Sequence, residues 1–161
     1  MYNEKIILVV NVKYNIVLQN IREKFNLTQE QLANVLNISR KTYNHYEVKE
    51  KIIPIKHLIT LSYYFNVSID YLLGLTEIKQ YDNIINADKI EAGTRLREFR
   101  KENKLTQVKL ANILNTTFSS IAFNEKGRNF IATPFLYTIC KKYYISADYL
   151  LGRIKEPKYL K

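Results

Sequence analysis

The stretch SRKTYNHYE, residues 39–47, gathers side chains that suit hydrogen bonding to nucleic-acid bases. An Arg such as Arg40 can donate two hydrogen bonds to a guanine, and an Asn such as Asn44 can pair with an adenine. In a helix over these residues Tyr43 and Tyr46 turn inward. The outward positions are then Ser39, Arg40, Lys41, Asn44 and His45. Charges at helical spacing also occur as a plain solvated face, so the surrounding elements must decide between these interpretations.

The stretch belongs to a repeat. LTQEQLANVLNISRKTYNHYE at 27–47 recurs as LTQVKLANILNTTFSSIAFNE at 105–125, an offset of 78 positions. At the same offset VSIDYLLG, residues 67–74, recurs as ISADYLLG, residues 145–152. Two copies of one module of under 80 residues are therefore predicted. The first half of each long repeat is nearly unchanged, whereas the second half differs.

Apolar spacing and capping residues predict five helices in each copy. Thr28 with Gln31 has the pattern of a capping box, Asn37 tolerates a left-handed turn, and Ser39 and Ser68 can begin helices. The first copy is predicted to form helices at about 15–25, 28–36, 39–47, 55–65 and 68–74. The second is predicted to form them at about 92–102, 107–114, 118–125, 134–143 and 147–151.

The predicted fold class is all-α, with two tandem domains. We expect a first domain over 1–76, a connector over 77–91, and a second domain with a short basic tail over 92–161. The branched residues of KIILVVNV, residues 5–12, favour a short strand or extended arm before the first helix.

Composition narrows the functional class. The net charge is +10, with +2 in residues 1–78 and +8 in residues 79–161, and such an excess attracts polyanions. The single cysteine, Cys140, and the short apolar runs predict a cytoplasmic protein without an intramolecular disulfide. His45 and His57 have no second His or Cys at metal-ligand spacing, so we expect neither a metal site nor a cofactor.

The strings LTQEQLANVLNIS, YE and NVSIDYLLG carry a resemblance to a known family. Twice over, the chain resembles the five-helix DNA-binding domain of lambdoid phage repressors, Cro proteins and Xre-type helix-turn-helix regulators. Ala33 stands where the two helices of that motif cross, and Asn37 stands where Gly is usual. The resemblance implies a bacterial or phage-encoded regulator that binds double-stranded DNA and acts most often as a repressor.

The resemblance also assigns roles to individual residues. It implies that the outward positions of 39–47 contact base edges and that Thr28 and Gln29 contact a phosphate. Arg22 with Glu47 and Arg100 with Glu125 would be structural ion pairs. Ser39, His45 and Glu47 are thereby accounted for as cap, surface residue and ion-pair partner, so we do not expect an enzyme.

The second copy departs from the first at its reading positions. These are Thr117, Phe118, Ser119, Ala122 and Phe123. Asn124 replaces a buried aromatic, and Phe123 either turns inward to repair the core or lies in an exposed apolar patch. One interpretation has this helix at thymine methyl groups with phosphate contacts from Gln107, Lys109, Lys126 and Arg128. The other has it bind protein, for self-association or for capture of another protein.

Two functions stay open on the sequence alone. The first is a transcriptional regulator that reads the major groove, and regulators of the resembling family generally bind two half-sites as a symmetric homodimer. The second is a protein-binding regulator, such as an antitoxin or a mobile-element inhibitor of host defence, that uses the second helix-turn-helix as its protein interface.

Overall fold

The structure is a computed structural model that describes residues 14–160, so the strand expected at 5–12 lies outside the described residues. The chain divides into two compact units, Met1–Gln80 and Tyr81–Lys161. Between residues 14 and 160 all regular secondary structure is helical, and the single β contact is an isolated bridge between Ile145 and Tyr159. None of the helices in this range is long and apolar enough to cross a membrane. The all-α prediction is confirmed.

The first unit contains five described helices, in the predicted order. They are α1 Tyr14–Lys24, α2 Gln29–Val35, α3 Arg40–Glu47, α4 Ile55–Phe65 and α5 Ile69–Leu72.

Local chemistry sets the ends of these helices. The Thr28 hydroxyl accepts a hydrogen bond from the Gln31 backbone N–H, and the Gln31 side chain accepts one from Thr28 N, which completes the predicted capping box. Ser39 and Ser68 cap α3 and α5, each accepting a hydrogen bond from the backbone N–H three residues on. Asn37 turns the chain between α2 and α3 with φ 53°, which Asn tolerates at little steric cost.

The inward positions of α2 and α3 hold the first unit together. Leu32, Ala33 and Tyr43 have no exposed surface, and Tyr46 is almost fully buried. Ala33 is buried where α2 packs on α3, and a larger residue there would push the two helices apart. The exposed side of α3 is therefore held at a fixed angle.

The second unit repeats the plan of five helices. Its helices are α6 Lys89–Glu102, α7 Gln107–Ile113, α8 Phe118–Glu125, α9 Thr133–Tyr143 and α10 Ala147–Leu150. We expected a connector as far as residue 91, but α6 begins at Lys89. Asp88 caps this helix by accepting a hydrogen bond from Glu91 N at 2.8 Å, and Ile85 N donates to Arg153 O at 2.8 Å. The helix predicted from about residue 92 thus begins three residues earlier.

Two contacts of the second unit involve residues that differ from those of the first, where Leu75 stands at the position of Arg153 and Asn15 at that of Gly93. Arg153, only 1% exposed, donates to the buried carboxylate of Asp148 at 2.6 Å. Gly93 lets α6 approach the end of α8 closely, since a Cβ on Gly93 would lie 2.5 Å from Asn124 O. The first unit has Asn15 at the position of Gly93, and its side chain instead donates to Glu47 O at 3.2 Å.

Candidate nucleic-acid interface

The exposed side of α3 presents three of the five predicted reading residues together. Arg40 and Lys41 are exposed at the first turn, and Asn44 follows one turn later, partly exposed. These three residues and Gln29 line a shallow concavity of about 330 Å³. A neighbouring concavity of about 550 Å³ lies between Arg40 and the start of α2, and Thr28 is among its lining residues. Arg40, Lys41 and Asn44 thus share one surface with Thr28 and Gln29, the first unit's predicted phosphate contacts.

The side chain of Gln29, a predicted phosphate contact, is directed into the motif. Its Nε2 donates to Asn44 Oδ1 at 3.1 Å and to Glu47 Oε2 at 2.9 Å, so both amide hydrogens are used inside the motif. This network turns the Asn44 oxygen toward Gln29 and leaves the Asn44 amide N–H groups to face outward. Only the backbone of Gln29 is left to meet a phosphate.

Glu47 is the centre of a brace between α1, α2 and α3. Arg22 Nε donates to Glu47 Oε1 at 2.6 Å and Arg22 Nη2 donates to Oε2 at 3.0 Å. Arg22 Nη1 also donates to Leu27 O at 3.0 Å, which ties down the loop before α2. Burial raises the pKa of Glu47, but the hydrogen bonds from Arg22 and Gln29 outweigh burial and leave this pKa below its ordinary value. The carboxylate is therefore held ionised.

His45 does not point outward as expected. Its side chain is 19% exposed, and its Nδ1 faces the carboxylate of Glu50 just beyond the end of α3. His57 is buried, and its Nδ1 shares a hydrogen bond of 3.2 Å with the Tyr46 hydroxyl. Burial, with a contribution from Lys56, lowers the pKa of His57.

The second unit contains the same brace. Arg100 binds Glu125 through both its Nε and its Nη2, the latter at 3.0 Å, and Gln107 Nε2 donates to Glu125 Oε2 at 2.7 Å. Arg100 Nη1 donates to Leu105 O at 2.9 Å, as Arg22 does to Leu27. The frame that holds the second helix of the motif is thus the same in both units.

Comparison with known proteins agrees with this geometry. A family model described as Helix-turn-helix matches residues 18–72, and one described as Helix-turn-helix domain matches residues 93–156. The HTH-type transcriptional regulator ImmR of Bacillus subtilis (strain 168) is 33% identical over 90 residues, which cover 55% of this chain and 68% of ImmR. The chain belongs to the helix-turn-helix transcriptional regulators. The predicted resemblance to Xre-type domains, in two tandem copies, is confirmed.

A second relative matches over a shorter region. It is described as an uncharacterized HTH-type transcriptional regulator, YobD, also of Bacillus subtilis (strain 168). It is 40% identical over 60 residues, which cover 37% of this chain and 54% of YobD. The chain therefore spans about half the length of this regulator.

In the second helix-turn-helix the second helix of the motif, α8, carries an exposed apolar surface. Phe118 is 51% exposed and Phe123 is 42% exposed, so Phe123 has not turned inward. Asn124 is buried in place of the aromatic, and its Nδ2 donates to Asn129 O and Phe130 O at 3.2 Å each. The backbone carbonyls after α8 thus satisfy the buried amide, which makes an inward Phe123 unnecessary. Thr117 caps α8, with Ser119 exposed and Ala122 partly exposed.

The predicted phosphate contacts of this second helix-turn-helix fall into two groups. Lys109, Lys126 and Arg128 are exposed, and the Arg128 guanidinium lies over the Phe123 ring, 4.9 Å from its centre. Gln107, by contrast, turns its amide nitrogen to Glu125. The pair Phe123 and Arg128 occupies the positions of His45 and Glu50 in the first copy, so one side-chain contact has been replaced by another.

Sequence reasoning missed the inward role of the two glutamines in these helix-turn-helix frames. A signal was present, because Gln29 and Gln107 are identical in the two copies although the reading residues differ. Asn15 was also missed, and its hydrogen bond to the end of α3 could not be found from the repeat, since Gly93 stands in its place. No group of three His, Cys, Asp or Glu side chains in the described part of the chain is arranged for a metal ion.

Proposed function

We propose that the protein is a sequence-specific repressor that binds duplex DNA in the major groove through α3 of the first unit. One observation carries the proposal. Within a complete helix-turn-helix frame, α3 exposes two cations and an oriented amide, at Arg40, Lys41 and Asn44, over the concavity that they share with Gln29. Such side chains discriminate between base pairs by ~1–3 kcal/mol for each good contact.

The roles of the individual residues follow from their contacts. Arg40 and Lys41 are the main base readers, and Asn44 adds outward N–H donors that suit an acceptor on a base edge. Ser39 borders this surface as the cap of α3. His45 is the weakest of the predicted base contacts because its ring nitrogen faces Glu50. Thr28 and Gln29 would approach a phosphate with backbone N–H groups, which position the protein without reading sequence.

The wider assignments belong to the same proposal. It includes two domains, over 1–76 and 92–161, which the division of the chain into two compact units supports. It also includes the pairing of two chains on DNA and a location in the bacterial cytoplasm, which the similarity to Bacillus regulators supports. The phosphate contacts of Gln107, Lys109, Lys126 and Arg128 stay predictions. Repression would follow where the bound site overlaps a promoter.

The experiment has two steps. Preferred duplexes are selected from a random pool, and the affinity for the best duplex and for an unrelated duplex is then measured at several salt concentrations. Arg40→Ala with Lys41→Ala should weaken binding to the preferred duplex by about tenfold or more and bring the two affinities closer together. Absence of DNA binding by the wild-type chain at low salt would overturn the proposal.

The control removes the same charge elsewhere. Lys24→Ala with Lys79→Ala also deletes two cations of the first unit, and both residues line a separate concavity beside Phe65 and Asn66. This variant should keep the preference between the two duplexes. Equal loss of preference in both variants would mean that α3 attracts DNA only by charge.

A further inference from the structure

The exposed side of α8 lacks the side chains that read bases. Phe118 and Phe123 replace Arg40 and His45, and Ala122 replaces Asn44. The two rings are about half exposed, and the Arg128 guanidinium covers part of Phe123. We call Phe118, Ala122, Phe123 and Arg128 the α8 face. Exposed aromatic rings bordered by an Arg are typical of protein interfaces.

The charge around the α8 face restricts what can cover it. Lys109 and Lys126 are exposed near it, together with Arg128, and the one acidic residue between residues 103 and 130 is Glu125, whose side chain is buried in the brace. Two α8 faces brought directly together would place like charges against each other, which is unfavourable. The occupant must offer both apolar atoms and negative charge.

The same unit holds such a surface. A cleft of about 870 Å³ is lined by Asp82, Asp88, Glu91 and Glu156, together with the half-exposed Ile85. Three cations, Arg95, Arg153 and Lys155, also line this cleft. Arg95 donates to Glu91 Oε1 at 2.7 Å and to two backbone carbonyls at 2.6 Å, and Arg153 donates to the buried carboxylate of Asp148 at 2.6 Å. Asp82, Asp88 and Glu156 then remain against Lys155, which leaves the cleft acidic. In a chain of net charge +10 this acidic cleft is complementary to the α8 face in charge and in apolar content.

The acidic cleft and the α8 face adjoin at the start of α6. Gly127, in the turn after α8, packs on Ile90, since a Cβ on Gly127 would lie 2.7 Å from Ile90 Cα. Glu91, the next residue, lines the acidic cleft. Ile90 itself is 71% exposed. Two complementary surfaces that meet along one edge can pair across a two-fold axis, so that each surface of one molecule contacts the other surface of its partner.

We propose that a second copy of this chain docks on the second unit, with the α8 face of each copy packed against the acidic cleft of the other. Ile90 of the two copies lies near the axis of this pair. Phe118 and Phe123 supply the apolar contact, and Arg128 meets the carboxylates around Asp82. The inference does not rest on DNA binding by the first unit. It assigns the second helix-turn-helix to assembly.

Sedimentation equilibrium of the full chain tests the apolar half of this interface. The wild-type chain should form dimers that weaken as salt rises, and Phe118→Ser with Phe123→Ser should raise the dissociation constant by about tenfold or more. Tyr63→Ser with Tyr64→Ser removes two exposed aromatic rings from the first unit and should leave the dissociation constant unchanged. A wild-type chain that stays monomeric at the highest concentration reached overturns the proposal.

A charge exchange tests which surfaces pair. Arg128→Glu alone and Asp82→Lys alone should each weaken the homodimer, because each puts like charges together. An equimolar mixture of the two variants should recover dimers. In the mixed dimer the new carboxylate at position 128 of one chain faces the new ammonium at position 82 of the other, and the second contact keeps the original charges. Failure of the mixture to recover dimers overturns the pairing.

A DNA measurement separates this proposal from the predicted reading role of α8. Below the concentration at which the chain dimerises, Phe118→Ser with Phe123→Ser should keep the affinity for the preferred duplex. A loss of about tenfold there, without any change in dimerisation, would assign α8 to DNA and overturn the docking surface. Circular dichroism of every variant verifies that the helices are retained.

Discussion

Glu47 and Glu125 occupy the same position in the two copies, and each accepts hydrogen bonds from an Arg and a Gln. In the first unit the Glu47 side chain is 4% exposed and that of Arg22 is 13% exposed. The contribution of such a buried pair to stability depends on the charge that remains when one partner is removed. Without Glu47, the Arg22 guanidinium would remain in a site built for an ion pair.

Glu47→Gln is therefore expected to lower the free energy of unfolding of the first unit by about 3–5 kcal/mol. Native-state hydrogen exchange, read by mass spectrometry on peptides from residues 14–80, measures this loss separately from the second unit. Glu23→Ala is the control, because Glu23 is exposed and lies 3.8 Å from Arg22, and it should change stability by no more than about 0.5 kcal/mol. A loss at Glu47 as small as the control would mean that the brace is not needed.

The same carboxylate gives the wild-type chain a pH dependence that the variant lacks. The pKa of Glu47 is lower in the folded unit than in the unfolded chain, where it is about 4.3. Its stabilising effect is therefore complete above the unfolded pKa and is lost as the pH falls through the folded pKa. The difference in unfolding free energy between wild type and Glu47→Gln should shrink below about pH 4, and a constant difference would contradict this assignment.

At the scale of the elements, the two units hold their reading helices to the first helix by different contacts. In the first unit Asn15 on α1 donates to the carbonyl of Glu47 at the end of α3. In the second unit Gly93 brings the backbone of α6 close to Asn124, Glu125 and Gly127. The brace is shared, but the approach of the first helix is closer in the second unit.

Gly93→Ala tests that close approach. Helix propensity alone predicts a gain of about 0.5–1 kcal/mol for this change in a helix. We expect instead a loss of about 1–3 kcal/mol, because the new Cβ would lie 2.5–2.9 Å from backbone atoms that cannot move aside cheaply. Hydrogen exchange on peptides from the second unit measures the change. Thr94→Ala is the control, because Thr94 is the next residue of α6 and is exposed, and it should change the free energy of unfolding by no more than about 0.5 kcal/mol. A Gly93→Ala chain that is more stable than wild type would show that the helices are not in close contact.

Features that depend on neighbouring residues were predictable from the sequence. The caps at Thr28, Ser39 and Ser68 and the left-handed turn at Asn37 each need only a few adjacent residues, and all of them are confirmed. The start of α6 was placed too late although its cap is also local: Asp88 accepts a hydrogen bond from Glu91 N, and the sequence interpretation did not use this cap.

Side-chain direction on the reading surface was less predictable. A helical wheel places Gln29 and His45 outward, yet Gln29 turns to Glu47 and His45 turns to Glu50. Periodicity assigns a face to a residue but not a partner to its polar atoms, and a nearby carboxylate decides the direction in both cases. Phe123, which one interpretation turned inward, is exposed instead, because the buried Asn124 amide is satisfied by backbone carbonyls.

At the scale of the whole molecule, the net charge of the second unit favours DNA as its partner, whereas its exposed surfaces favour a second copy of the chain. Residues 79–161 carry +8 of the net charge, which favours contact with phosphates, whereas the α8 face and the acidic cleft favour a second copy. The salt dependence of DNA binding separates them, since each cation that meets a phosphate adds ~0.9 to the slope of log K against log salt.

We expect Lys126→Ala with Arg128→Ala to leave this slope unchanged, because both cations lie at a surface that we assign to assembly. Fluorescence anisotropy on the preferred duplex, at protein concentrations below dimerisation, gives the slope. Loss of about 1.8 would instead place both cations on phosphates, as one interpretation of the sequence predicts. Arg40→Ala with Lys41→Ala provides the comparison within the same chain, because it removes the same charge from α3. A loss of affinity for the preferred duplex there and not at α8 assigns DNA contact to the first unit by position and not by net charge.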